Sequence, residues 1–430
     1  MSDATIDIEN FQLLDPVVQQ CPHLYYEKMR HEEPFYNADV AGIPIVLATR
    51  YEDVLEIIKD TDSFSSQTES GGAAMPVNKE LAERMKALHK AEGGYRRIGT
   101  MLTIDPPEQT RYRKLVNKAF TARAVSGLEP VIRKTSSDLI ASFIEKPTIE
   151  FVKEFAVPLP VRTIAKALNV PEDRLTDFKR WSDDNIAAIG TQLTDDQRLE
   201  HEKGIIEFQH YFAEQLEKRR SDPQDDILTN LLNARIDKEE GLDLSDEPLT
   251  MEEMLSIVSQ LVVAGNETTT KTLTEMMRLL GEHPEQWNML REDPERAAKA
   301  VEEAVRMSSP TQGFWRFTKK DVEVAGTKIA KGTRMVVMFA SANRDEKVFP
   351  DPDVFNPDRD NLFSHLAFGK GAHYCLGASL ARLELRVALE ELIKNIDSFV
   401  LADTNKFEYL PSFMLRGLKS LDLEINPSIT

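Results

Sequence analysis

Apolar positions along the chain fall mostly in helical phase, with a few short runs in strand phase. Ile43–Ala48 runs apolar up to a Thr-Arg turn and predicts an early strand. Tyr51–Lys59 then places Val54, Leu55 and Ile58 on one side, as a helix does. Residues 63–99 are loop-rich, broken at Gly71-Gly72 and Gly93-Gly94, with helical periodicity between them over 78–90. The turn Asp105-Pro106-Pro107 precedes a predicted helix at 108–120. From there to Arg220 the pattern is mainly helical, punctuated by Pro147, Pro158, Pro160 and Pro171. Segments at Pro223 and 238–248 are expected to be surface connections. The longest predicted helix starts at the N-cap Thr250, with Glu253 completing a capping box, and runs to Gly281 before His283-Pro284. That is roughly 30 residues, or about 45 Å. Strands return at Val322–Val324 and 334–339, and a last helix after Cys375 carries Leu376, Leu380, Leu383 and Val387 on one stripe. The expectation is a mainly α fold with small β-sheets (α+β), in one domain spanning 1–430.

Composition changes that picture little. The chain has 430 residues, 41% hydrophobic and 29% charged, and a net charge of −19. That excess of carboxylates opposes binding to nucleic acid or anionic lipid, so an acidic partner needs a local basic patch. Residues 1–10 are polar and acidic, with neither the basic start nor the apolar stretch of a signal peptide. No run of 18 apolar residues occurs, and 257–265 is interrupted by Ser259 and Gln260. A cytoplasmic monomer is expected. Two cysteines, Cys21 and Cys375, argue against a disulfide framework.

Cys375 stands out by its neighbours, Phe368-Gly369-Lys370-Gly371-Ala372-His373-Tyr374-Cys375-Leu376-Gly377. Alternate glycines permit a tight turn with positive φ. A cysteine at the start of a helix is favoured as a thiolate, which is the form that ligates metals. Gly377 and Ala378 keep bulk away, so a flat macrocycle can lie there. A lone cysteine before a helix is ordinarily an inert structural thiol, but five specified positions at fixed spacing reverse that expectation. The segment resembles the haem-binding loop of the cytochromes P450 in full. The resemblance implies haem b (heme b, iron protoporphyrin IX) with Cys375 as axial thiolate, Phe368 beside its sulfur, and His373 on a haem propionate. Thiolate ligation favours O–O cleavage.

The resemblance runs along nearly the whole chain. Ala264-Gly265-Asn266-Glu267-Thr268-Thr269 looks like the family's oxygen-activation motif. Ala264 and Gly265 leave room over a flat cofactor. Glu267 and Thr268 set an acid beside a hydroxyl, where protons can be relayed; Glu267 stands where relatives more often carry Asp. Thr269, Thr270 and Lys271 are expected to face solvent. Glu303 and Arg306 form an i,i+3 pair that matches the family's Glu-x-x-Arg, and Arg359 in Phe355-Asn356-Pro357-Asp358-Arg359 is its third, structural member. Arg113 and Arg316 match the arginines that hold the propionates. Gln109 stands where many relatives have His.

By resemblance the function is that of a soluble haem-thiolate monooxygenase. It inserts one atom of O2 into a hydrophobic small molecule by C–H hydroxylation or epoxidation. NAD(P)H supplies electrons indirectly, through a separate ferredoxin or flavodoxin. Lys114, Lys118 and Arg382 are candidates for the donor's docking face, although each fits an ordinary solvated charge nearly as well. Leu102, Val263, Ala264, Thr268, Gln312, Gly313 and Phe314 are expected at the substrate pocket. Their apolar character suits a terpenoid, steroid, fatty acid or aromatic. An H2O2-using peroxygenase and a non-catalytic haem sensor are the alternatives; neither explains an acid-threonine pair.

Overall fold

The computed structural model describes residues 7–67, 77–236, 245 and 247–428. Gly71-Gly72 and most of 238–248, predicted as a loop break and a surface connection, lie outside the described residues. The chain divides into two compact units, each assembled from segments far apart in sequence.

The first unit comprises 1–65, 129–160 and 267–430. It holds every described strand: β1 Phe35–Val40, β2 Ile43–Ala48, β3 Phe64–Ser65, β4 Thr148–Glu150, β5 Phe314–Thr318, β6 Val322–Val324, β7 Thr327–Ile329, β8 Arg334–Val337, β9 Ile396–Leu401 and β10 Asp422–Pro427. A five-stranded sheet runs β1-β2-β8-β5-β3, with β2 and β8 parallel and the other pairs antiparallel. The β1–β2 hairpin escapes the sequence pattern. Its turn, Ala41-Gly42, has φ of 53° and 82°, the left-handed pair that a two-residue hairpin needs. Ala-Gly is a weak signal for that turn, because a Cβ at Ala41 disfavours it. Against this sheet pack Tyr51, Val54, Ile57 and Ile58 of the helix Tyr51–Lys59 and Phe349 and Leu366 from later loops. The helices Glu129–Phe143, Ala297–Ser308 and Ala378–Asn395 complete the unit.

The second unit comprises 66–128 and 161–266 and is helical. Asn78 caps the helix Lys79–Glu92, accepting from Leu81 N–H at 2.8 Å, and Gly93 ends it at φ 71°. Thr194 and Gln197 form a complete capping box on Asp195–Ser221. Thr250 and Glu253 do the same for the longest helix: Glu253 N–H reaches Thr250 Oγ1 at 3.2 Å and Thr250 N–H reaches Glu253 Oε2 at 2.7 Å.

That helix, Met251–Glu282, has 32 residues and is unbroken, about 48 Å long. Its residues up to Asn266 belong to the second unit and those from Glu267 to the first. No helix among the described residues is long and apolar enough to cross a membrane.

Candidate active site

In the first unit, the cysteine loop is shaped by its backbone. Gly369 and Gly371 take φ of 66° and 71°. A Cβ at Gly371 would approach the Ile58 carbonyl at 3.4 Å, so the loop packs against the end of Tyr51–Lys59. Cys375 N–H donates to Phe368 O at 2.8 Å, and Tyr374 N–H to Gly371 O at 3.1 Å. These bonds fold the loop back before Gly377 caps the helix Ala378–Asn395. Cys375 is half-buried and forms no disulfide. A Cβ added at Gly377, two residues after the thiol, would meet nothing within 4 Å, so the chain is open there.

Beneath the loop lies a buried carboxylate that the sequence reading missed. Glu302 accepts from Arg382 Nη2 at 2.6 Å and Nε at 2.7 Å, and from His365 Nε2 at 2.9 Å. Arg382 Nη1 also donates to Tyr374 OH at 3.1 Å. Burial pushes the Glu302 carboxyl up, but the bonds to Arg382 and His365 outweigh it and hold it at about 2. His365 is depressed, first by burial, with Glu302 opposing. Its Nδ1 accepts Ala367 N–H at 3.2 Å, which matches a neutral ring protonated on Nε2. Arg382, expected on a docking face, pairs with Glu302 while its side chain stays one third exposed. Lys118, also expected there, is exposed, with Nζ donating to Arg235 O at 2.7 Å; Lys114 is half-buried.

One residue along, Glu303 gathers the expected triad. Arg306 donates to it from Nε at 2.7 Å and Nη2 at 2.8 Å, and Arg359 Nε at 2.8 Å. Asn356 N–H adds a bond at 3.0 Å. Arg306 Nη1 reaches Asn343 O at 2.8 Å, tying the pair to the turn after β8.

The long helix corrects one expectation. Thr269, Thr270 and Lys271 do not face solvent; all three are buried. Thr270 Oγ1 donates to Ala156 O at 3.0 Å, and Lys271 Nζ to Glu267 Oε2 at 2.6 Å. Thr272 and Thr274 bond back to the carbonyls of Thr268 and Thr270, at 2.9 and 2.8 Å. Among the threonines of 268–274, Thr268 alone is not buried. In the second unit, Ala264 is exposed, and a Cβ at Gly265 would make only ordinary contact with Ile164 at 3.6 Å.

The remaining expected residues divide between the units. Arg113 is half-buried on the helix Glu108–Ala119 of the second unit. Its neighbours fix that helix: Arg111 Nη1 and Tyr112 OH both reach Glu253 Oε1, at 3.0 and 2.6 Å, and Gln109 is buried. Leu102 is exposed and Val263 half-buried. In the first unit Arg316 is buried on β5 and His373 half-buried in the loop. Phe314 is half-buried and meets Phe339 edge-on. Gly313 has no space to spare, since a Cβ would lie 2.6 Å from Val337 O. Gln312, expected to line the pocket, is buried at 1% exposure, with Nε2 turned to Ser309 O at 2.7 Å.

The donor set fits one kind of metal centre. Among the described residues no group of three or more His, Cys, Asp or Glu is placed to hold an ion. A single half-buried thiol in the cysteine loop suits a metal whose other ligands come from a macrocycle. Comparison with known proteins agrees. The cytochrome P450 family model matches residues 193–416. Cytochrome P450 107B1 of Saccharopolyspora erythraea is 34% identical over 421 residues, covering 97% of this chain and 98% of that protein. The vitamin D(3) 25-hydroxylase of Pseudonocardia autotrophica is 32% identical over 430 residues, covering 99% of each. The structure of cytochrome P450 CYP109Q5 from Chondromyces apiculatus superposes with a TM-score of 0.83 at 34% identity, covering 98% of this chain and 99% of that one. The chain belongs to the cytochrome P450 family. It is an oxidoreductase of the haem-iron monooxygenase class with the cytochrome P450 fold.

Proposed function

We propose that the whole chain acts as one catalytic domain that hydroxylates or epoxidises an apolar small molecule, with electrons from a separate ferredoxin or flavodoxin. Terpenoids, steroids, fatty acids and aromatics are the substrate classes. The carrying observation is the exposure pattern of the long helix, in which Thr268 is half-buried while its neighbouring threonines are buried. The similar vitamin D(3) 25-hydroxylase, named for a large apolar substrate, supports that size and polarity.

Haem ligated by Cys375 supplies oxygen activation when bound. The chain's residues do the rest. Phe368, Gly369 and Gly377 shape the ligand loop; in the first unit Arg316 and His373, and in the second Arg113, are the residues that would bind the cofactor's carboxylates. Ala264 and Gly265 leave room on the long helix for it. Leu102, Val263 and Ala264 in the second unit, and Gln312, Gly313 and Phe314 in the first, are the mostly apolar residues that would meet substrate. Thr268 holds a water by its hydroxyl, and Glu267 passes that water a proton and recovers one from solvent.

The test has three readings. Reduced protein with CO should give the strongly red-shifted Soret band of a thiolate ligand. A panel of steroids, terpenoids, fatty acids and aromatics should contain compounds that shift the spin state. Those compounds should be oxidised with NAD(P)H, ferredoxin and reductase, and poorly with H2O2 alone. Efficient turnover with H2O2 and none with the donor chain would make the protein a peroxygenase. Loss of the CO band, or no turnover of any spin-shifting compound, would remove the reading.

A further inference from the structure

Lys271 has no part in the chemistry above, yet it is built into the helix at a cost. Its side chain is 5% exposed, and that of Glu267, one turn earlier, 10%. An ammonium taken out of water is stable only beside a counter-charge. Lys271 Nζ finds one at 2.6 Å in Glu267 Oε2. The other carboxylate in i,i+4 reach, Glu275, is engaged elsewhere: Arg278 Nη2 donates to it at 2.7 Å and Tyr409 OH at 3.3 Å. The fold also makes way for the lysine stem. A Cβ at Gly417 would come within 2.3 Å of Lys271 Cγ, so the loop before β10 is shaped around this side chain. A methionine or leucine would fill the same volume without a charge to compensate. The ion pair therefore has a different use.

We propose that Lys271 is the positioning residue for Glu267, holding its carboxylate turned along the helix between proton transfers. The proposal rests on the reading of Glu267 and Thr268 as the relay. Glu267 accepts one proton from solvent, leaves the ammonium, gives that proton to the water at Thr268, and returns to Lys271 as the anion. No electron moves and the proton count closes. Without the ammonium, the buried carboxylate has no counter-charge and the neutral acid is favoured in its place. The carboxyl group then loses its fixed orientation between transfers, and reloading slows.

The experiment compares wild type with Lys271→Met, Lys271→Arg, Glu267→Gln and the double variant Glu267→Gln with Lys271→Met, each loaded with haem. Infrared difference spectra, Lys271→Met minus wild type, should show a new protonated-carboxyl band that is missing when the double variant is compared with Glu267→Gln. With surrogate ferredoxin, reductase and a saturating spin-shifting substrate, Lys271→Met should lower kcat about tenfold. KM should stay within twofold, the solvent isotope effect should rise, and Lys271→Arg should recover most of the rate. No new carboxyl band in Lys271→Met, or a wild-type kcat beside one, overturns the proposal. The same holds if Lys271→Met loses the thiolate CO band, since Lys271 then serves folding. If Glu267→Gln turns over at the wild-type rate, the relay reading fails separately, whatever the infrared arm gives.

Discussion

The guanidinium of Arg382 lies 4.4 Å from the centroid of the Phe368 ring while donating two hydrogen bonds to Glu302. A cation over an aromatic face is attracted to it. Here the same cation is anchored below by a carboxylate, so Phe368, the first residue of the cysteine loop, rests on a fixed plane. The His365 ring, 5.7 Å from that of Phe368, is held by the same carboxylate.

Acid should undo this support. Glu302 is held at about 2 against an ordinary value of 4.5, so the stability it contributes is complete above 4.5 and lost as pH falls through 2. His365, also depressed, adds a loss that begins as pH falls below 6.5. Glu302→Gln should flatten the acid limb of stability between about pH 4.5 and 2. The expected change is on the order of 2 kcal/mol, reduced because Arg382 is one third exposed. Urea unfolding of both proteins across that range checks it. Equal acid limbs would mean that Glu302 does not gain its stabilisation from this network.

Breaking the triad beside it should be more severe. Arg306 and Glu303 are fully buried, so truncating one strands the other's charge. Glu303→Ala should cost about 3–5 kcal/mol. Much of the protein should then be recovered without haem. The ratio of Soret to protein absorbance and the Tm report both; wild-type values for each would show the triad to be dispensable.

The two cysteines should behave oppositely. Cys375→Ser should abolish the red-shifted Soret band of the reduced CO complex, and Cys21→Ser should leave it intact. A normal band from the Cys375 variant would move the metal ligand elsewhere.

Thr268→Ala should bind haem, CO and substrate, and should draw electrons at a rate near wild type. Its failure should lie in partition, with reducing equivalents leaving as H2O2 instead of product. Product formed per NAD(P)H consumed, with H2O2 assayed alongside, measures it. An unchanged ratio would exclude Thr268 from productive proton delivery. Glu267→Gln should differ by slowing total turnover, because the carboxylate serves proton entry.

What the sequence disclosed and what it hid follow from the range of the interactions involved. The Thr250–Glu253 capping box, the cysteine loop and the Glu303–Arg306 pair are local, carried by residues three to seven apart. Lys271 was misread because its burial depends on Gly417, more than a hundred residues away, and on Ala156 beside Thr270. A polar run on a helix says nothing of what covers it. Glu302 was missed for the same reason: its partners His365 and Arg382 lie 63 and 80 residues on. Gln312 shows the same limit at short range: its Nε2 bonds Ser309 O in its own turn, while its Oε1 is left without a partner among the described residues.

On the proposed reading of the pocket, Gly313 sets a limit on how selectivity can be altered. Its missing side chain is occupied by the strand behind it, with Val337 O, Val336 Cγ1 and Met338 Sδ all within 3.3 Å of where a Cβ would stand. Any larger residue there must push back β8, the strand that joins the hairpin to β5, before it can reshape a cavity. Substitutions at 313 are therefore expected to cost stability before they change selectivity. Phe314, half-buried beside it, is itself paired with Val337 across the sheet and packed edge-on against Phe339, so a change of volume there is felt by the same strands.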